Sequence, residues 1–201
     1  MMHRMTTYVA VAGLLAGLGC LSPASADPLT DLLSSAGGGV CFARSYDAAH
    51  LARDPGQDTR KALFSLVKDT RFVGATMRIA LEGKTRTSVI VGECGWTARA
   101  NLDVRDKPLL DTFKGGPGLD CHAYTSIDGM SAEEGGDFVI DMRDDRTMVI
   151  HLPDSIAAWP AIARRGRAKW AAFGKSDRVF KLERADRHLC QQMDASIEPL
   201  K

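Results

Sequence analysis

The chain has 201 residues, with 26 Lys and Arg against 25 Asp and Glu, and a net charge of +1. That length suits one domain with a substantial core. The near balance argues against a nucleic-acid binder, which needs positive charge to neutralise phosphates, and against an acidic disordered chaperone.

Residues 1–26 have the layout of a secretory signal peptide. Arg4 supplies the charge, an apolar run covers 9–18, and small residues stand at Ala24 and Ala26. Cleavage is predicted before Asp27, leaving 27–201 as a single disulfide-stabilised β-rich domain, periplasmic or secreted. The apolar run is about half the roughly twenty residues a spanning helix needs, so no stable transmembrane segment is expected after cleavage. Cys20 as a lipid anchor is disfavoured because Leu18 lies one place off the usual lipoprotein position.

Cleavage would also remove Cys20, leaving Cys41, Cys94, Cys121 and Cys190. An even number of cysteines in an exported chain predicts two disulfides. Three pairings are open, and spacing alone does not choose between them. Cys41–Cys190 with Cys94–Cys121 is preferred, since the first would tie together the two ends of the domain. There is no Cys-x-x-Cys, which argues against a thiol oxidoreductase.

In chain order, a strand is predicted over 40–46, a helical turn over 48–53 and a strand over 61–68. Met77, Ile79 and Leu81 then alternate with polar residues, and Gly83-Lys84 turns the chain into 85–91, a hairpin. Ala98, Ala100, Leu102 and Val104 mark another strand, and Leu119, Cys121, Ala123, Thr125 and Ile127 the next. The clearest hairpin joins Phe138, Ile140 and Met142 to Met148, Ile150 and Leu152 through the turn 143–146. A helix interrupted by Pro160 and Gly166 is predicted over 156–170, a strand over 178–183, and a closing helix over 186–193. The result is a mainly β domain of about nine strands with one or two short helices, either an antiparallel barrel or a two-sheet sandwich. Loops are expected at 114–118 and 133–137.

Charge is uneven along the chain. Segment 103–145 carries eleven acids and four bases, whereas 164–187 carries nine bases and three acids. The plain reading is a solvated surface, or two segments that face each other.

No catalytic motif stands out. The chain lacks a Gly-x-Ser-x-Gly elbow, a His-Glu-x-x-His helix and a phosphate-binding loop, so no cofactor, metal or catalytic residue is assigned. His122 and His151 fall on polar strand faces and could approach each other, but exposed strand histidines are commoner than such a metal pair. His188 lies two residues from Cys190, whose sulfur a disulfide would take out of ligation. Asp128, Glu133, Glu134 and Asp137 cluster on a Gly-rich loop, without the spacing of a calcium-binding EF-hand. Glu134 with Asp141 is a conceivable hydrolase acid pair with nothing else to support it.

The most unusual stretch is Trp159, Arg164, Arg165, Arg167, Lys169 and Trp170. Trp and Arg are enriched at binding hot spots, so these six are the candidate binding residues. The competing reading buries Trp159, Ile162 and Trp170 against the core and leaves the bases wet.

The segment from Cys41 through Phe42, Arg44, Tyr46 and His50, with Phe180-Lys181-Leu182-Glu183-Arg184 ahead of Cys190, loosely resembles small exported bacterial proteins that are uncharacterised. The resemblance covers the two ends of the domain and brings no activity. Arg44 and His50 are expected as an exposed polar pair or as part of a cap. Taken together, the sequence points to a non-enzymatic exported binding module that docks on, or inhibits, an envelope enzyme. The runner-up is a calycin-like barrel holding a small apolar ligand. In that barrel Ala98, Ala100 and Ala123 would leave interior room, while Phe138, Met142 and Met148 would fill it.

Overall fold

The computed structural model describes residues 27–69, 74–98, 117–126, 135–160 and 167–196. The predicted leader and nearly all of the strand predicted from Ala98 onward lie outside these residues.

The chain starts with helix α1 (Pro28–Ser35). Asp27 caps it by accepting the Leu29 N–H at 3.0 Å, and Pro28 supplies a pre-set first turn. Leu29 and Leu33, spaced i and i+4, are buried on one face. Gly37 and Gly38 end the helix with φ of 66° and 90°, where other residues would be strained. The Gly38 N–H returns to the Leu33 carbonyl at 2.7 Å. This helix is absent from the sequence expectation.

Then come β1 (Gly39–Ser45), α2 (Ala48–Arg53), β2 (Lys61–Lys68), β3 (Ala75–Glu82), β4 (Thr87–Thr97), β5 (Gly118–Ala123), β6 (Asp137–Met142) and β7 (Thr147–His151). They are followed by β8 (Ser155–Pro160), β9 (Lys169–Ala172), a 3₁₀ turn (Lys175–Asp177), β10 (Val179–Ala185) and α3 (Arg187–Ser196). The expected strands 40–46, 61–68 and 178–183 and the short helix 48–53 fall within a residue or two of those observed.

Strands β1 to β7 pair in sequence, each antiparallel to the next, and β10 pairs with both β7 and β1. The sheet therefore closes into an eight-stranded antiparallel barrel, not a sandwich. Closure leaves no edge among these eight strands. The hairpin β8–β9 branches from it. Strand β4 is long enough to pair with β3 on one side and, on the other, with β8 at Ser88 and Val89 and with β5 from Gly92 to Thr97.

The helix expected over 156–170 is instead β8, ending at Pro160, and β9, beginning at Lys169. Ile156, Ala157, Ala158 and Trp159 form a continuous buried run. Such a run does not separate helix from strand by periodicity. Ten strands are present among the described residues, against about nine expected.

Period-two alternation assigns the two faces. The inward face carries Phe42 and Phe64, directly opposite each other, with Phe138, Phe180, Ile79, Ile140 and Ile150, all fully buried. Fully burying a Phe or Ile side chain contributes roughly 1.5–3 kcal/mol, so this packed middle carries the fold. Ala123 is inward as expected, but Ala98 is exposed at the end of β4.

Both preferred disulfides are present. Cys94–Cys121 joins directly opposed residues of β4 and β5 inside the barrel, with Cα atoms 4.2 Å apart. Cys41–Cys190 is outside it, fastening α3 to β1. There Met193 and Cys190 belong to a second apolar cluster with Leu63, Ala80, Val89, Val91, Tyr124 and Trp159.

Replacing Cys41 and Cys190 together by Ser is expected to lower stability by about 2–4 kcal/mol, read as a shift in urea midpoint. Amides of Arg187–Ser196 should lose hydrogen-exchange protection before those of β2; equal loss in both would refute the fastening role.

Candidate functional site

Strand direction sorts the connections to two barrel ends. The start of β1, the end of β10, the end of β2 with the start of β3, the end of β4 with the start of β5, and the β6–β7 turn lie at one end. Helix α1 lies there, packing on β1, β2 and β4. At the opposite end a buried carboxylate ties loops together. Asp177, 5% exposed, accepts the N–H groups of Asp58 at 2.9 Å and Thr59 at 2.8 Å. Ser176 donates to Asp54 nearby.

Between α1 and the barrel wall lies a cavity of about 750 Å³. That volume falls inside the roughly 300–1,000 Å³ of small-molecule sites. Its apolar lining comes from Leu29 and Leu32 of α1, Trp96 of β4, Leu119 of β5 and Met142 of β6. Trp96, Leu119 and Met142 continue the inward rows of their strands, beyond the level at which the phenylalanines fill the middle.

The rim of the cavity is charged, with Asp31 on α1, Asp144, Asp145 and Arg146 in the β6–β7 turn, and Arg184 on β10. Asp144 Oδ1 accepts the N–H groups of Arg146 at 2.8 Å and Thr147 at 2.6 Å, which fixes the turn. Arg184 follows Phe180 and Leu182 on the inward row of β10. Its guanidinium carbon lies 5.6 Å from the centre of the Phe42 ring, and its Nη1 donates to the Asp145 carbonyl at 3.3 Å.

Of the six candidate binding residues, Trp159 is 3% exposed and belongs to the outer apolar cluster. Arg167, Lys169 and Trp170 are exposed, Trp170 at 60%. Its ring lies against Gly136, whose φ of 96° and missing side chain leave the space. Arg164 and Arg165 lie outside the described residues.

Of the other candidates, Asp128, Glu133 and Glu134 also lie outside them. Asp137 is described, and its Oδ1 lies 2.7 Å from His122 Nδ1 on the exposed outer face. Asp120 stands on the same strand as His122, and burial raises its carboxyl above the usual range, against the pull of His122 and with the push of Asp137. His122 and His151 do not approach each other across a shared strand edge, because β6 lies between β5 and β7. His151 has the outward parity expected of it, opposite to Met148 and Ile150, but at 5% exposed it is not the solvent-exposed strand histidine expected. Among the described residues no group of three or more His, Cys, Asp or Glu is positioned to hold a metal.

Arg44 and His50 are not partnered with each other; both lie against Tyr46. The Arg44 guanidinium carbon is 5.7 Å and the His50 ring 4.8 Å from the tyrosine ring centre. Arg44 pairs with Glu183, while His50 meets Gln57. The cap of α2 is Asp47, which accepts the His50 N–H at 2.6 Å.

The cavity is the feature sequence reasoning missed. The available signal was Asp27-Pro28 followed by Leu29, Leu32 and Leu33, a capped amphipathic turn just past the proposed cleavage point. Comparison with known proteins yields no match to a family model, a curated protein or a solved structure.

Burial lowers the His151 pKa below its ordinary 6.5, against the pull of Asp141 and with the push of Arg143. The unfolded chain then binds more protons, so this contribution to stability is full above the unfolded pKa and falls as pH drops through it. Between ~pH 7.5 and ~pH 5, His151→Gln is expected to lose less stability than the parent, as urea titrations would read. Parallel pH profiles would refute this.

Proposed function

We propose that the protein is an exported, non-enzymatic binding module that carries a small, largely apolar ligand in the cavity beneath α1. The observation that carries this reading is the cavity itself, of ligand size, lined by Leu29, Leu32, Trp96, Leu119 and Met142. A filled barrel middle supports a site at one end rather than along the whole axis. Two disulfides fit an oxidising compartment, and periplasm or extracellular space completes the proposal. Among the described residues no helix is long and apolar enough to cross a membrane.

The test uses the neutral apolar fluorophore N-phenyl-1-naphthylamine with the mature chain. Saturable binding is expected, with energy transfer from tryptophan. Leu32→Trp, which fills the cavity from a half-buried position, should weaken it at least ~10-fold, or ~1.4 kcal/mol, without changing the urea midpoint by more than a small step. Absence of saturable binding, or binding indifferent to Leu32→Trp, would sink the reading.

A second reading keeps the protein as a module that docks on an envelope protein through the β8–β9 hairpin. Exposed Trp170 beside Arg167 and Lys169 supports it. Replacing Arg164, Arg165 and Arg167 together by Ser should abolish capture of an envelope partner while the far-ultraviolet spectrum and melting curve stay the same. Capture at full strength by this variant would remove the docking surface from consideration.

A further inference from the structure

We infer that the occupant of the cavity beneath α1 is an amphiphile with one anionic head, lodged against Arg146 and Arg184 while its apolar body enters the barrel end. This rests on the carrier reading above and adds the polarity of the ligand to it.

The argument starts from strand parity. An inward position of a barrel strand is ordinarily apolar, and Phe180 and Leu182 obey that rule on β10. Arg184 is the next residue of that row, exposed at the barrel mouth, and it borders the cavity. Arg146 stands in the turn just before β7, exposed, where its carbonyl accepts the Arg184 N–H at 2.6 Å, and it borders the same cavity. One guanidinium thus ends a row that is otherwise hydrocarbon, and a second lies in the adjoining turn, beside Leu119, Trp96 and Met142.

The acids of the rim are differently occupied. Asp144 holds two backbone N–H groups of its own turn. Asp31 lies in the first turn of α1, where a carboxylate offsets the positive end of the helix. Such contacts with neutral N–H groups do not cancel a carboxylate's charge, so the rim holds three carboxylates beside its two guanidinium groups, and an anionic head is favoured by direct contact with a guanidinium fork rather than by the net charge of the rim. Arg184 commits one of its five N–H donors, to the Asp145 carbonyl. The remaining donors, forked and beside an apolar wall, suit a carboxylate or similar anion, for which Arg geometry is well matched.

Isothermal titration of the mature protein with dodecanoate and with dodecanol tests this, since the two share a chain and differ in the head. Dodecanoate should bind at least ~10-fold tighter, the size of one charge-assisted hydrogen bond, and the gap should narrow with salt. In the double variant Arg146→Gln/Arg184→Gln the two affinities should converge, with dodecanol unchanged. Arg146→Gln alone, away from the Phe42 contact, should remove part of the preference and guards against a folding defect in the double variant. Equal binding of acid and alcohol by the parent would overturn the anionic head and leave the carrier reading standing. Binding of neither would overturn both.

Discussion

Closure of the sheet between β1 and β10 is the constraint on which the other features depend. Only Cys41 to Ala43 and Glu183 to Ala185 are in register there, and they come from opposite ends of the described chain. Such a contact has a large loop-closure cost, because the intervening chain must already be ordered. The Cys41–Cys190 bond spans a sequence separation of 149 at this seam, and Cys41 is itself one of the paired residues, opposite Ala185. It holds α3 over β1 and β2, and it restricts the unfolded chain most where closure is entropically hardest. Once closed, the barrel has one inside, and every strand must present an apolar face to it.

That requirement explains what was legible in the sequence. Strand β10 and the first half of β3 alternate buried with more exposed residues because one face is in the barrel and one outside, whereas β1, β2, β6 and β7 carry continuous buried runs because their outer faces are partly covered too. The choice between barrel and sandwich was not legible, since both use the same alternation and differ only in whether the first and last strands meet. Strand β8 escaped for a different reason. Its run Ile156 to Trp159 is covered on both faces, with Ile156 and Ala158 in the inner cluster and Trp159 in the outer one. Apolar residues without alternation fit a helix as well as a strand.

The candidate site was hidden by its assembly from distant parts. Its walls come from α1, β4, β5, β6, the β6–β7 turn and β10. Each contributes an ordinary residue, such as Leu32, Trp96 or Met142, whose pattern says inward or outward but not how near it lies to a barrel end. The exposed Trp170 was legible as an unusual residue. Its neighbour in the same reading, Trp159, shows why composition alone misleads: the strand pairing Val89 with Trp159 buries it against the outer face of β4.

The division of the interior follows from side-chain size. Phe42, Phe64, Phe138 and Phe180 enter from β1, β2, β6 and β10, and with Ile79, Ile90 and Ile150 they occupy the centre. Close packing there leaves no space for a ligand to pass along the axis. At one end, Asp177 draws the β1–β2 loop against the segment before β10 through two backbone amides. At the other, α1 reaches the interior only with Leu29 and Leu33, and the half-buried Leu32 faces what remains open. The lining at this end is therefore apolar at Trp96, Leu119 and Met142, with Arg184 at the end of the β10 row and Arg146 in the turn before β7. This end of the barrel thus presents an apolar wall beneath a rim of three carboxylates and two guanidinium groups.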